Sequence, residues 1–158
     1  MNEKMLSMQD FYKTKVKDVM KTVTSHLPCI EENSDVSSVL SLLKTEDHVW
    51  VMSKTDPHQV TGIITESDTI VLFSPPVVSL QSFDKPDSRS LQFGGSLTAE
   101  AIMSKNPVDT TPEETIKEVL QKMKQHHVKQ VPVVDQHGLL QGEISLHDMI
   151  HHFDTVKK

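Results

Sequence analysis

The sequence predicts an α+β fold made of two copies of one small unit. Residues 60–68 and 140–148 each place a glycine two residues before an isoleucine, then a hydroxyl residue, and an aspartate three residues after the hydroxyl. A run of apolar residues at helical spacing and an apolar strand precede each segment in the same order. The helical runs and the aspartates share an offset of 80 residues, which indicates a duplicated unit.

Each copy is predicted to contain, in order, a short helix, a short strand, a longer helix, two strands and a final helix. The short helices end at Met20 and Met103. The longer helices follow apolar residues three and four positions apart. These residues are Val36, Val39, Leu40 and Leu43 in the first copy, and Ile116, Val119, Leu120 and Met123 in the second.

Capping signals predict where the longer helices begin. Thr111-Pro112-Glu113-Glu114 has the hydroxyl, proline and glutamate of a capping box, so the second helix is expected to begin there. Asn33-Ser34-Asp35 is the weaker start of the first helix. The strands at 49–52 and 131–134 then enter hairpins, and the first hairpin loop is expected to be two residues longer.

The repeats predict four regions along the chain. Residues 1–15 are a tail or a short helix, 16–73 the first repeat, 74–96 an insertion, and 97–158 the second repeat. Segments as long as the insertion are usually functional or disordered. A flap, an edge strand and a docking loop all remain possible roles for it.

Composition excludes several classes of function. The formal charge of −6 and the absence of a long basic run argue against a general nucleic-acid binder. Cys29 is the only cysteine, which excludes an internal disulfide and a cysteine-rich zinc site, and it is expected to be buried in an apolar strand. No apolar stretch reaches the length of a membrane span, so a cytoplasmic protein is expected. There is no Gly-x-Ser-x-Gly elbow and no glycine-rich phosphate loop, so no enzyme is predicted.

The ordered motifs resemble the cystathionine β-synthase (CBS) domain, and two in tandem resemble the Bateman module of free-standing prokaryotic regulators. The motifs are Lys17-Asp18-Val19-Met20, Ala99-Glu100-Ala101-Ile102-Met103, Asn106-Pro107-Val108, Val131-Pro132-Val133-Val134-Asp135 and the two Gly-to-Asp endings. The resemblance implies β-α-β-β-α repeats packed sheet to sheet about a pseudo-twofold axis. It also implies two inter-repeat clefts for AMP, ADP, ATP or S-adenosylmethionine, no obligatory cofactor, a homodimer and a regulated protein partner.

The resemblance also implies the residues that would contact such a ligand. Thr65 and Ser145 would contact phosphate, and Asp68 and Asp148 would contact the ribose hydroxyls. The walls of the base pocket would be Pro107, Val108, Val131 and Pro132 in the second copy, with Lys129 beside them. The counterparts in the first copy would be roughly Pro28-Cys29 and Val49-Trp50. Trp50 stands where the second copy has Pro132, which makes the second copy the better candidate.

Two alternatives remain open at this point. Thr65-x-x-Asp68 and Ser145-x-x-Asp148 are also what a helix start requires, so the chain could be a structural dimer whose motifs only cap helices. His147 and His151 stand at the i, i+4 spacing that allows two imidazoles to bind one metal, which makes them weak candidates for a divalent-metal site.

Overall fold

The computed structural model describes residues 3–74, 89–91 and 96–156. Its mixture of helices and strands confirms the predicted α+β class. Short 3-10 helices cover Val16–Asp18, Val23–Ser25 and Glu66–Thr69. In chain order the remaining elements are α1 (Glu3–Lys13), β1 (Lys21–Thr22), β2 (Cys29–Glu31), α2 (Val36–Leu43), β3 (His48–Met52), β4 (Val60–Thr65), α3 (Ile70–Phe73), α4 (Ala99–Ile102), β5 (Ser104–Lys105), α5 (Ile116–His126), β6 (Gln130–Val134), β7 (Leu140–Ser145) and α6 (Leu146–Val156).

The chain forms two compact units that differ from the sequence repeats. The discontinuous unit comprises residues 1–27 and 107–158, and the central unit comprises residues 28–106. The opening segment of each repeat therefore belongs to the compact unit that contains the body of the other repeat. Among the described residues, none of the helices is both long and apolar enough to span a bilayer.

The discontinuous unit is built on a three-stranded sheet in the order β1-β7-β6, with both neighbouring pairs antiparallel. Apolar residues of helices and strands form its core, as the helical spacing and strand pattern predict. The buried residues are Val16, Ile116, Val119, Met123, Val131, Val133, Ile144 and Met149.

Helix α5 begins four residues later than the capping box at Thr111 predicts, so that prediction is wrong. Thr115 is the N-cap, and it exchanges reciprocal hydrogen bonds with Glu118. The N-terminal segment instead forms hydrogen bonds with backbone carbonyls at the predicted start of the helix. The amides of Lys17 and Val16 donate to the carbonyls of Pro112 (3.0 Å) and Glu114 (2.8 Å), which holds this stretch out of the helix.

The central unit is built on a four-stranded sheet in the order β2-β3-β4-β5, with β2 parallel to β3 and the other pairs antiparallel. Its helix α2 begins after Asp35, whose carboxylate accepts a hydrogen bond from the Ser37 amide at 2.8 Å, so the predicted cap is confirmed. The buried core residues are Val36, Val39, Val51, Ile64, Leu72, Ala99 and Ile102.

The two hairpins share an irregularity and differ in loop length. Register shifts lie between Val51 and Met52 in one hairpin and between Val133 and Val134 in the other. The loop after β3 is longer by two residues than the loop after β6, as the sequence predicts. The equivalent bulges show that the strands themselves match, and that only the connecting turn differs.

The expectations for Cys29 and for the insertion at 74–96 are not confirmed. Cys29 is exposed, so the expectation of a buried thiol is wrong. It lies on the edge strand β2, where alternate side chains point to opposite faces and Ile30 is the one that packs on the core. Most of the insertion at 74–96 lies outside the described residues.

Gly142 is the point of closest approach between β1 and β7. A Cβ atom there would collide with the Lys21 carbonyl and lie 3.2 Å from the Cα atom of Thr22. A Cβ atom at Gly62 would mainly meet the flexible Met103 side chain. We therefore expect Gly142→Ala to lower the free energy of unfolding by about 3 kcal/mol and Gly62→Ala by about 1 kcal/mol in urea titrations. Equal losses would contradict this account.

The carboxylate of Asp135 closes the turn between β6 and β7. Its pKa lies below the ordinary value of 3.8, mainly because the Leu139 amide donates to it and to a smaller extent because the His137 amide does. A lowered folded-state pKa contributes stability above pH 3.8 that is lost as the pH falls below that value. We expect Asp135→Ala to lower the urea midpoint at pH 7, with the difference from the unsubstituted protein shrinking below pH 3.8.

The control for this turn is Gln125→Ala, a neutral exposed side chain of the same unit. Its effect on the urea midpoint is expected to be small and independent of pH. An Asp135→Ala difference that persists unchanged at pH 3 would show that the charge of the carboxylate is irrelevant to the turn.

Candidate functional site

In the discontinuous unit, Ser145 and Asp148 form the junction between β7 and α6. One carboxylate oxygen of Asp148, Oδ2, accepts hydrogen bonds from the Ser145 amide at 3.0 Å and from Ser145 Oγ at 2.9 Å. The Asp148 amide donates to Ser145 Oγ at 3.1 Å. These reciprocal bonds cap the helix and hold the carboxylate in one orientation.

Thr65 and Asp68 form the matching junction in the central unit. Asp68 Oδ2 accepts from the Thr65 amide at 2.8 Å and from Thr65 Oγ1 at 3.3 Å. The chain then continues through the 3-10 helix Glu66–Thr69 into α3. Both motifs therefore have the capping geometry that the sequence predicts, and their contact with a ligand stays a prediction.

The second carboxylate oxygen of each aspartate faces a residue that the sequence analysis missed. Lys21 Nζ lies 3.6 Å from Asp148 Oδ1, and Ser104 Oγ donates to Asp68 Oδ1 at 3.2 Å. Lys21 pairs with Glu143 in the sheet, and Ser104 pairs with Ile63, so the two residues occupy equivalent positions. Each directly follows the methionine, Met20 or Met103, at which the sequence predicts the end of a short helix, and this position was the signal available in the sequence. In the structure these short helices end earlier, at Asp18 and Ile102.

A pocket of about 410 Å³ opens beside Asp148 in the discontinuous unit. The helix α6 supplies the aspartate and several imidazoles, and the segment leading into β1 supplies a lysine and an apolar wall. The lining residues are Val19, Lys21, His147, Asp148, His151 and His152. The pocket thus combines a carboxylate, a cationic side chain and several hydrogen-bonding rings.

A second pocket, of about 430 Å³, opens beside Asp68 in the central unit. Arg89 contributes a cation to it and donates a hydrogen bond to the Ala101 carbonyl at 3.3 Å. The lining residues are Ser67, Asp68, Ile70, Val71, Ser74, Arg89 and Ile102. Three aliphatic side chains, and no histidine, are among the described residues that line this pocket.

The residues expected beside the base in the second copy lie at different depths. Pro107 and Val108 are partly exposed, whereas Val131 and Pro132 are buried, and Val131 is part of the core. Lys129 is exposed, and its carbonyl accepts from the Leu146 amide at 3.0 Å. Of this group, the stretch 107–108 and Lys129 are the ones with accessible surface.

In the first copy, the residues that correspond to Pro107 and Val108 lie one position earlier than the sequence comparison predicts. Val51 pairs with Ile30, and its equivalent Val133 pairs with Thr110. Pro28 is therefore the counterpart of Val108, and Cys29 corresponds to Asp109. The match of Pro28-Cys29 to Pro107-Val108 is thus off by one position.

Val49 and Trp50 are fully buried, and the Trp50 ring packs edge-on against His48 with centroids 5.2 Å apart. This burial leaves no exposed face of the indole for a base to stack on. A base contact by Trp50 remains a prediction that the burial disfavours.

The histidines do not assemble a metal centre among the described residues. His147 and His151 both line the pocket beside Asp148, but the described chain contains no group of three or more His, Cys, Asp or Glu side chains suited to hold a metal ion. The third imidazole, His152, stacks on the Phe11 ring of α1, with centroids 6.4 Å apart. These histidines are better described as polar walls of the pocket.

Comparison with known proteins agrees with this architecture. A homoserine O-acetyltransferase from Methanosphaera stadtmanae is 26% identical over 133 residues, which cover 84% of this chain and 23% of that protein. The chain spans less than a third of the length of the curated relatives that it matches.

Solved structures match over most of the chain. CBSX2 in complex with AMP has a TM-score of 0.71 at 18% identity, covering 92% of this chain and 99% of that one. The CBS domain pair of MJ0100, in complex with 5′-methylthioadenosine and S-adenosyl-L-methionine, has a TM-score of 0.63 at 21% identity, covering 89% and 99%. The CBS domain family model matches residues 16–74 and 99–154. The chain therefore belongs to the CBS domain family.

Proposed function

We propose that the chain is a regulatory module that binds an adenosine-containing ligand, principally at the pocket beside Asp148. The observation that carries this proposal is that the two oxygens of that carboxylate have different neighbours. Oδ2 is held by Ser145, whereas Oδ1 lies 3.6 Å from Lys21 Nζ, and both Asp148 and Lys21 line a pocket of about 410 Å³. A carboxylate fixed by one oxygen can accept hydrogen bonds from vicinal ribose hydroxyls through the other.

The strand next to this site supports recognition of a purine by backbone groups. In the central unit the Trp50 amide donates to the Pro28 carbonyl at 2.8 Å. Pro132 stands at the equivalent position and has no N–H, so it cannot make this bond to the equivalent carbonyl, that of Val108. The Val108 carbonyl would then accept a hydrogen bond from an exocyclic amine such as that of adenine.

The relatives of known structure support the same ligand class. AMP is bound to CBSX2, and 5′-methylthioadenosine and S-adenosylmethionine are bound to the MJ0100 domain pair. All three molecules contain adenosine. Which of these ligands the chain binds most tightly depends on its own side chains. We do not propose an enzymatic activity.

We assign a secondary role to the pocket beside Asp68. Its aspartate has the same capping geometry, and its second oxygen accepts from Ser104. In this unit the Trp50 amide donates a hydrogen bond to the Pro28 carbonyl. The Trp50 ring is buried. We therefore expect weaker binding, or none, at this pocket.

Helix α1 is the proposed element that transmits ligand occupancy to a protein partner. His152 lines the pocket and stacks on Phe11, which also packs edge-to-face on Phe153 with centroids 5.2 Å apart. A ligand that displaces the His152 ring would shift the packing of α1. A cytoplasmic setting for this regulation stays a prediction from the composition.

We also propose that the chain forms a homodimer through its terminal helices. Ile150 on α6 is 67% exposed, and Ile70, at the offset of 80 residues in the other repeat, is 66% exposed. The presence of the same exposed aliphatic residue at equivalent positions of the two repeats is the observation that supports this contact. A purely structural module would form the same homodimer.

The central test is Asp148→Asn with AMP, ATP and S-adenosylmethionine as titrants in isothermal calorimetry. Asparagine retains one oxygen for the Ser145 amide, but it replaces the other oxygen with a donor that cannot accept from a ribose hydroxyl. We expect the affinity of the best ligand to fall by about tenfold or more. The thermal midpoint is expected to change by only a few degrees, because the cap is largely preserved.

The matched control for this test is Asp10→Asn, which removes the same charge from an exposed residue of the same unit. It is expected to leave the affinity unchanged. Unaltered binding by Asp148→Asn would contradict the assigned site, and no binding of any adenosine compound by the unsubstituted protein would favour the purely structural module.

The dimer is tested by Ile150→Glu in sedimentation equilibrium. Burying a carboxylate at an apolar contact is unfavourable, so the dimer dissociation constant is expected to rise by about tenfold or more. Gln125→Glu introduces the same charge on exposed α5 and is expected to have no effect. Sedimentation of the unsubstituted protein as a monomer at all concentrations would refute the dimer.

A further inference from the structure

We propose that Lys21 determines ligand specificity at the pocket beside Asp148 by selecting a phosphate-bearing adenosine compound. This inference rests on the proposed function and names the charge class of its ligand. Lys21 is supplied by β1, from the opposite end of the sequence to α6, and its Nζ lies 3.6 Å from Asp148 Oδ1. It is the one side chain lining that pocket that carries a fixed positive charge.

The contact between Lys21 and Asp148 is unequal. The aspartate side chain is 8% exposed and is held by Ser145, whereas the lysine side chain is 52% exposed. A half-exposed lysine gains little from such a pair and keeps the freedom of its four-carbon stem. The carboxylate is therefore the fixed partner, and the ammonium group is the one that can move.

Binding of a nucleotide would exchange partners at this pair. The ribose hydroxyls would donate to Asp148 Oδ1 and take the place of Lys21. The ammonium group, still on the same side of the pocket, would then pair with a phosphate at the other end of the ribose. The exchange leaves neither charge without a partner, which is the condition for placing a carboxylate of such low exposure beside a ligand.

The rest of the pocket wall agrees with an anionic ligand. His147, His151 and His152 line it, and an imidazole can donate a hydrogen bond from a ring N–H in both its neutral and its charged form. Among the residues that the structure describes, Asp148 is the only carboxylate that lines the pocket. A sulfonium group, as in S-adenosylmethionine, would place a second positive charge near Lys21, whereas a phosphate would bring the opposite charge.

The equivalent position in the central unit shows what the lysine adds. Ser104 contacts Asp68 there through a neutral hydroxyl group. The two aspartates have matching caps, and the junctions differ in charge at this one position, whereas the pocket beside Asp68 has its cation from Arg89 instead. The duplicated motif therefore provides an internal comparison for the role of Lys21.

The experiment titrates adenosine, AMP, ATP and S-adenosylmethionine into the full chain by isothermal calorimetry, with Lys21→Met, Lys21→Arg and Lys17→Met as variants. The unsubstituted protein is expected to bind AMP or ATP about tenfold or more tightly than adenosine or S-adenosylmethionine, since a charge-assisted contact is gained. Lys21→Met is expected to lose this preference while its affinity for adenosine stays within about twofold. Lys21→Arg is expected to retain the preference, and Lys17→Met, which removes an exposed lysine of the same unit, to leave all four affinities unchanged.

The outcomes separate this inference from the function on which it rests. Equal affinities for adenosine and AMP, or an unchanged preference in Lys21→Met, would overturn the role of Lys21 while leaving adenosine binding intact. Failure of all four compounds to bind would overturn the proposed function and this inference together. A thermal unfolding midpoint for Lys21→Met close to that of the unsubstituted protein confirms that the variant is folded, as expected for a half-exposed side chain.

Discussion

The close approach of the Lys21 backbone to Gly142 is the constraint on which the candidate site depends. The absence of a side chain at Gly142 allows β1 to pair with β7 at van der Waals distance. That pairing brings Lys21 beside Asp148, although the two residues are separated by most of the sequence. A larger residue at position 142 would separate the strands and with them the two charges.

The aspartates at the strand-to-helix junctions combine a structural and a proposed functional role. One oxygen of each carboxylate caps a helix, and the other is directed to a neighbouring strand. Capping fixes the orientation of the side chain before any ligand arrives, so less conformational entropy would be lost on binding. The cap and the ligand contact are therefore not competing explanations of the motif, because each uses a different oxygen.

The two halves of the chain differ at positions beside the two proposed sites while keeping the same framework. The bulges and the capped strand-to-helix junctions are equivalent in both, and the hairpins differ in the length of the loop. Pro132 has Trp50 as its counterpart, which changes both the backbone hydrogen bonding and the burial of the strand. Lys21 has Ser104 as its counterpart, which changes the charge. We expect small differences of this kind, on one duplicated scaffold, to give the two pockets different ligand preferences.

The sequence by itself determined the duplication, the α+β class, the apolar faces of α2 and α5, the cap at Asp35 and the two junction motifs. These features can be predicted because helical period, strand alternation and capping residues form patterns within a few neighbouring residues. Tertiary structure alone decided that α5 begins after Thr115, because the N-terminal segment hydrogen-bonds to the carbonyls of Pro112 and Glu114. It also decided the exposure of Cys29 on an edge strand, and the contacts of Lys21 and Ser104 with the aspartates. Those features depend on which distant segments pair with each other, and strand pairing across such a separation leaves no local pattern in the residues that take part in it.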